Sequence, residues 1–412
     1  MITRRTTARL LAATAVTAAA GAGINPAHAD DKVIKIGVDL SLTGADAQSA
    51  IKVKNAIQMA FDAANTSHAV PGHTFDLLVL DDGTATAGQY DPAQAATNAR
   101  KMVSDPDVVG ALGPEMSGAG KAMTPILSQG GLATITMSST NPDITNPKFA
   151  AQYRPAGKPI YFRTVTTDAF QGPNMANFFA DVLKVKSVYV LDDSGAFGVG
   201  VADSFQAQAE KKGVKVLGRD RLDPKAADYS AILTKIKSLD TEGLYYGGVA
   251  QAGVKLAKQA YDIIPKVIKG GPDGMTSSEL LSGAGFPAVE GWYTSIAAPH
   301  LVNDGKAAKF VADYKKEFNL APDDYSITAY DAALVLIDAV KRTAAAGTVT
   351  RDGVQAALMT TKLPSLQGTI SFDANGDLAD RTVSVFHIEK DPSKPLDDVS
   401  AQYKYIAVAP QS

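Results

Sequence analysis

Short apolar runs alternating with helical periodicity constrain this chain more than anything else in it. Val33-Ile-Lys-Ile-Gly-Val38 reads as a strand. Val53, Ile57, Ala60 and Ala64 then recur on one face of an amphipathic helix. Phe75 to Leu80 is the next strand, and Pro92 suits the first turn of a helix carrying Ala95, Ala99, Met102 and Val103. Val108 to Leu112 and Ala133 to Met137 are two further strands, with Met123, Ile126 and Leu127 between them. Pro125 inside that helical pattern predicts a kink or a late start. Such alternation requires a parallel sheet covered on both faces, which is an α/β fold.

The alternation is interrupted and then resumes. Residues 142–159 are rich in Pro, Asn, Ala and Gly and read as a long loop leading into a crossover. Strands follow at Ser187 to Leu191, Val214 to Leu217, Gly243 to Tyr246 and Val267-Ile268, each separated by a helical pattern. Three more helices are expected after Ala298, and Thr350 is a good N-cap for the last. The tail then changes to short strands joined by turns, with Asn375-Gly376 the strongest hairpin signal. A chain of 412 residues is too long for one small core, so two domains are expected.

Residues 1–29 read as an export signal. Arg4, Arg5 and Arg9 precede a short apolar run, and Ala27-His28-Ala29 offers a cleavage site. The Arg4-Arg5 pair also fits twin-arginine export, but a plain secretory n-region is basic too, and the general route is the simpler reading. No later apolar run reaches the roughly 18 residues that a membrane span requires. The mature chain is therefore expected to be soluble and, most simply, periplasmic. Without the three signal arginines it carries 37 basic against 43 acidic residues, and it has no basic run. Nucleic acid is a poor partner for such a surface, because its affinity comes largely from Lys and Arg neutralising phosphates.

Gly110 to Pro142 concentrates the candidate chemistry. Ser117 follows one strand, and Ser138-Ser139-Thr140 follows the next. Ligands of open α/β sheets sit outside the carboxyl ends of the strands, and a helix N-terminus favours a negative group there. A pocket for a small molecule with a carboxylate or similar polar head follows. The plain alternative is that Ser117 is only an N-cap and Ser138 to Thr140 only a turn.

Enzyme readings find little support. There is no cysteine, and the histidines are scattered, with His68 and His73 at a spacing no metal motif requires. Gly118-Ala-Gly120-Lys121 fails as a phosphate loop, because position 115 is Glu and Ala122 stands where Ser or Thr is needed. Ser117 also lacks a nucleophile elbow. Asp81-Asp82 and Asp192-Asp193 read as solvated turns at strand ends rather than as cation ligands. No nucleophile has a base beside it, so neither catalysis nor a cofactor is expected.

In their order, these elements resemble the periplasmic solute-binding proteins of branched-chain amino acid ABC transporters, the type I binding-protein family. The carriers are Ile34-Lys-Ile-Gly-Val38 with Leu42-Thr-Gly44, Gly113-Pro114 with Ser117-Gly118, and Ser138-Ser-Thr140-Asn-Pro142. In the second half they are Tyr161-Phe-Arg-Thr164, Gln171-Gly172-Pro173, Phe197-Gly198, Asp228-Tyr229-Ser230, Tyr245-Tyr-Gly-Gly248 and Gly271-Pro272-Asp273-Gly274. The resemblance implies two Rossmann-like lobes with parallel-sheet cores, joined by three hinge crossovers. One lobe would comprise 30–160 and 298–367, the other 161–297 and 368–412. It further implies a monomer, a small-molecule ligand in the cleft, and an ABC permease in the inner membrane as partner. The same fold also serves as a sensory module for membrane receptors.

The resemblance carries pocket roles onto matching positions. Ser117, Ser138 and Thr140 would hold the carboxylate and ammonium of an amino acid, since a hydroxyl both donates and accepts. Asp273 would pair with the ammonium; its plain reading is a Pro-Asp-Gly turn residue. Phe197 stands at a position that is often tyrosine and would lie over the ligand backbone, unless it packs only on its own lobe. Ser49 and Val249 occupy positions where the leucine/isoleucine/valine binders carry tryptophan and tyrosine. Both departures remove bulk, so the pocket is expected to be wider or differently shaped. A larger or aromatic amino acid, an amide and an aromatic carboxylate stay open.

Overall fold

The structure, a computed structural model, describes residues 31–412. The export-signal reading falls on residues outside that range. Strand formation follows from burial on both faces. In Lys32–Leu40 the side chains of Ile36 and Val38 are fully buried in one core. The opposite face at Gly37 meets Met102 so closely that an added Cβ would lie 2.6 Å from its Sδ. A helix therefore presses on each side of the strand, as period-two alternation in a covered sheet demands.

The first sheet has five parallel strands in the order His73–Asp81, Lys32–Leu40, Val108–Leu112, Thr134–Thr136, Tyr161–Arg163. The chain leaves the first strand toward one edge and later returns to its other side. The loops after Lys32–Leu40 and Val108–Leu112 therefore diverge and leave a crevice at this switch point. The second sheet runs Lys215–Arg221, Ser187–Asp192, Gly243–Gly247, Ile268–Gly270, Trp292–Ile296, Ser384–Ile388, Tyr403–Val408. Its first five strands are parallel; Ser384–Ile388 runs antiparallel to them, and Tyr403–Val408 antiparallel to Ser384–Ile388. Its switch point lies between Ser187–Asp192 and Gly243–Gly247.

Two boundaries differ from those expected. Tyr161–Arg163 pairs with Thr134–Thr136 and so closes the first sheet, although position 161 was expected to open the second lobe. The chain crosses only after Arg163. Near the other end, Leu363–Ser365 and Gly368–Ile370 form a hairpin whose Ile370, like the later Leu378, is buried in the first lobe's core. Phe372 also meets Phe162 edge-on, with ring centroids 5.1 Å apart. Burial of these apolar side chains holds 368–378 on the first lobe, so the tail enters the second sheet only at Ser384. The three crossings lie side by side: Thr166 N donates to Ala297 O (2.8 Å), and Ser384 Oγ to Ala298 O (2.8 Å).

Pro125 neither delays nor breaks its helix, which runs Ser117–Gln129 without interruption. Tyr229 and the helix Ser230–Ser238 lie as expected, whereas Val214 precedes a longer strand, Lys215–Arg221. Asn375-Gly376 does form a turn, with Gly376 N donating to Asp373 O. Among the described residues no helix is long and apolar enough to cross a membrane.

The switch point of the first sheet depends on Gly113. Its φ is +97°, and a Cβ there would lie 2.2 Å from Asp39 O. Gly113→Ala is expected to cost about 1–3 kcal/mol through backbone strain alone, with a further cost from the clash. Urea denaturation of the ligand-free protein measures it, and an unchanged midpoint would show that the crevice tolerates a side chain there.

Candidate functional site

The two switch points face each other across a cavity of about 550 Å³, open space at its mouth included. The first lobe lines it with Asp46, Ser49, Glu115, Ser117, Ser138 and Tyr325, and the second with Phe197, Val249, Asp273, Gly274 and Thr276. Ser49, Ser117, Ser138, Phe197, Val249 and Asp273, all singled out from the sequence, thus converge on one space. Thr140 does not line it.

Ser117 is the first residue of the helix Ser117–Gln129, whose N-cap is Met116 without a side-chain bond. Its hydroxyl is not an N-cap. It accepts from Asn141 N (3.2 Å) and lies 3.4 Å from Ser139 Oγ, which ties the helix start to the neighbouring turn. Ser138 Oγ donates to Glu115 O (3.1 Å), leaving its lone pairs toward the cavity. Arg163 holds this turn from below. With no exposed surface, it donates to Ser139 O, to Asn141 O (2.8 Å) and to Thr145 Oγ1 (3.1 Å), and pairs with Asp377 (2.8 Å). Thr140 is fully buried on the far side of the turn, its hydroxyl beside Asp168.

Asp273 follows the strand Ile268–Gly270 in a short 3-10 turn, Asp273–Met275. It is a turn residue, yet its carboxylate also faces the cavity. It is 5% exposed, and burial pushes its carboxyl up to about 6. Tyr325 OH donates to its Oδ2, and Gly274 N donates to its Oδ1 (2.9 Å). Gln171 Oε1 accepts from Asp273 N (3.0 Å) and from Ser295 Oγ (2.9 Å), while its amide donates to Asp168 (2.9 Å). Tyr325 opens the long helix Asp324–Ala345, whose core face belongs to the first lobe, so the Tyr325–Asp273 bond crosses the cleft.

Ser49 and Val249 behave differently from one another. Val249 N donates to Asp193 (3.1 Å) and the side chain lines the cleft. Ser49 lines it too, but its N–H and hydroxyl both donate to Glu279 of the second lobe (2.9 and 3.0 Å). The expected loss of bulk at Ser49 is thus partly made up by an interlobe bond. Asn141 Nδ2 adds another, to Ala196 O (2.9 Å). The acidic pairs at the strand ends are engaged by the fold. Asp81 accepts from Leu42, Thr43 and Gly83, Asp192 from Arg219, and Asp193 from Gly195 and Val249.

Sequence reasoning missed Asp46, Glu115 and Tyr325. Glu115 had entered only as the residue that spoils two other motifs. Its place at the end of a strand beside the switch point was a usable signal. Tyr325 gave none, since its approach to Asp273 joins segments 52 residues apart.

A match to the periplasmic binding protein family extends over residues 33–393, and the chain belongs to that family. It is a substrate-binding protein of the branched-chain amino acid ABC transporter type. It is 30% identical over 390 residues to the Leu/Ile/Val-binding protein BraC3 of Rhizobium johnstonii, covering 93% of this chain and 98% of that one. It is 28% identical over 362 residues to the leucine-, isoleucine-, valine-, threonine- and alanine-binding protein of Pseudomonas aeruginosa, covering 88% and 91%. Among solved structures it resembles a leucine-binding protein from Thermotoga maritima, with a TM-score of 0.78, 26% identity, and coverage of 91% and 98%.

The buried acids give the fold a pH dependence. Burial, the main cause in each case, raises Asp46 to about 7, Asp168 to about 8, and Asp193 and Asp273 to about 6. Each folded-state value lies above the unfolded one near 4, so the folded protein binds more protons between about pH 4 and 8. Stability contributed by these groups is complete below that window and is lost as pH rises through it. Urea denaturation of the ligand-free protein is expected to give a higher midpoint at pH 5 than at pH 8, and the reverse order would show that these carboxyls are ionised when buried.

Proposed function

We propose that this chain is the substrate-binding component of an ABC importer, which captures an α-amino acid between its lobes in the periplasm and delivers it to a membrane permease. One observation carries the ligand class. Beside the apolar Met116, Phe197 and Val249, the polar side chains lining the cavity are hydroxyls and carboxyls, and no Lys, Arg or His is among its lining residues. A ligand that is only an anion would meet Asp46, Glu115 and Asp273 without a compensating cation. An α-ammonium supplies one, and a charge-assisted bond to a buried carboxylate is short and strong.

In this reading Ser117 and Ser138 receive the carboxylate at the start of the helix Ser117–Gln129, where the first-turn N–H groups favour negative charge. Thr140 acts from behind the turn, through its packing beside Asp168. Asp273 closes onto the ammonium, and Phe197 and Val249 cover the ligand. Closure excludes water and so strengthens the ion pair. The relatives named above are binding proteins of transporters, which supports a binding rather than a catalytic role.

Asp273→Asn keeps the side-chain shape and removes the charge, at the loss of one acceptor oxygen. It is expected to weaken an α-amino acid ligand by about 2 kcal/mol, some thirty-fold in Kd. Titration calorimetry on ligand-free protein measures this. Unchanged affinity would remove Asp273 from the site, and binding of amine-free aromatic carboxylates alone would overturn the amino acid reading.

A further inference from the structure

Two carboxyls in the cleft have no task in the fold. Asp46 precedes the helix Ala47–Thr66 but makes no capping bond to it. The residue is 7% exposed, lines the cavity, and its Oδ2 has no hydrogen-bond partner. Glu115 is 6% exposed, and its carboxylate accepts only one hydrogen bond among the described residues, from Ser41 N at 3.3 Å. No salt bridge among the described residues reaches either. The charges that raise the Asp46 carboxyl are Glu279, Asp82 and Asp193, and those that raise Glu115 are Asp46, Asp82 and Glu279, all of them acidic. Asp39 and Asp82 also leave an oxygen each without a partner, but those two face one another and neither lines the cavity.

Unpaired buried carboxyls are costly, because burial removes their hydration and nothing replaces it. The cost has a use if the missing partner arrives with the ligand. Asp273 suffices for one ammonium, and it belongs to the opposite lobe. Asp46 and Glu115 form a second acidic group on the first lobe, beside the small Ser49.

Resting on the amino acid reading above, we propose that the ligand carries a cationic side chain, and that Asp46 and Glu115 receive it while Asp273 takes the α-ammonium. The chain would then differ in specificity from the relatives named for aliphatic amino acids. The discriminating element is negative as well as positive: an aliphatic side chain would bury these two carboxyls without a partner, which is a penalty against the wrong ligand.

The test is titration calorimetry of the ligand-free protein at pH 7.5 with lysine, ornithine, arginine, leucine, isoleucine and benzoate. At least one basic amino acid is expected to bind about 100-fold tighter than leucine, equivalent to roughly 2.7 kcal/mol. Glu115→Gln and Asp46→Asn should each weaken that ligand ten-fold or more and should tighten leucine, because each removes a carboxyl that an aliphatic side chain would bury unpaired. Their thermal midpoints without ligand should equal or exceed that of the unaltered protein, since each removes acid–acid repulsion, and this separates lost recognition from lost folding. Leucine binding as tightly as the basic amino acids would overturn the proposal and leave the amino acid reading standing. Binding of benzoate alone would overturn both. Tight binding of a basic amino acid that neither variant weakens would overturn the assignment to Asp46 and Glu115.

Discussion

A guanidinium without exposed surface must place its N–H donors on the protein, because each unsatisfied donor forfeits its hydration. Arg163 does so on four groups that come from distant parts of the chain: Ser139 O, Asn141 O, Thr145 Oγ1 and Asp377 Oδ1. It stands at the end of the last strand of the first sheet, just before the chain crosses to the other lobe. Its face also packs on the Tyr161 ring, 5.0 Å from the centroid. One side chain thereby fixes the hydroxyl turn that lines the cleft, the exit of the first crossing, and the returning tail at Asp377. The late return of the tail to the second sheet belongs to the same constraint. If residues 368–378 left the first lobe, Asp377 would leave with them and the buried charge would lose its counter-ion.

The same economy governs the space between the lobes. Tyr325 on Asp273, Glu279 on Ser49 and Asn141 on Ala196 are all interlobe bonds, and they surround the cavity rather than fill it. Each carboxylate oxygen accepts more than one bond. Asp273 can therefore keep Tyr325 and Gly274 and still take an ammonium. The Gln171 amide adds rigidity, for it holds the Asp273 backbone, Ser295 and Asp168 at once. Asp273 is thus oriented in part by Gln171, which is not among the residues lining the cavity.

Much of this was legible in the chain because it rests on local rules. Strand–helix alternation gave the parallel sheets, and the positions of Ser117 and Ser138 at strand ends followed from where such sheets bind, whereas Phe197 and Asp273 were reached only through the family resemblance. Three kinds of feature were not legible. Thr140 was assigned to the pocket by the family resemblance, yet it is fully buried and is not among the residues lining the cavity. The boundaries at 161 and 368 came from the family resemblance together with changes of pattern, whereas lobe membership is decided by which core Phe162, Ile370 and Phe372 pack against. The roles of Tyr325 and Glu279 depend on contacts across the cleft, and no local spacing encodes those.

The acids also bear on how closure is coupled to occupancy. A ligand shifts a conformational equilibrium only by its differential interaction with the two states. Asp273 lies on one lobe, and Asp46 and Glu115 on the other, so bringing the lobes together confines carboxyls from both sides in a space of falling dielectric. Without a cation, that step is opposed by desolvation and by mutual repulsion, and protonation is the only relief. With an ammonium between them, the same desolvation strengthens attraction instead. On the proposed cationic ligand, the sign of the electrostatic contribution to closure would therefore reverse on binding. An aliphatic pocket closing on an aliphatic side chain has no comparable reversal, since its empty closed form is merely unfilled. An acid-lined cleft thus resists closing when vacant, at the expense of stability in the ligand-free state near neutral pH.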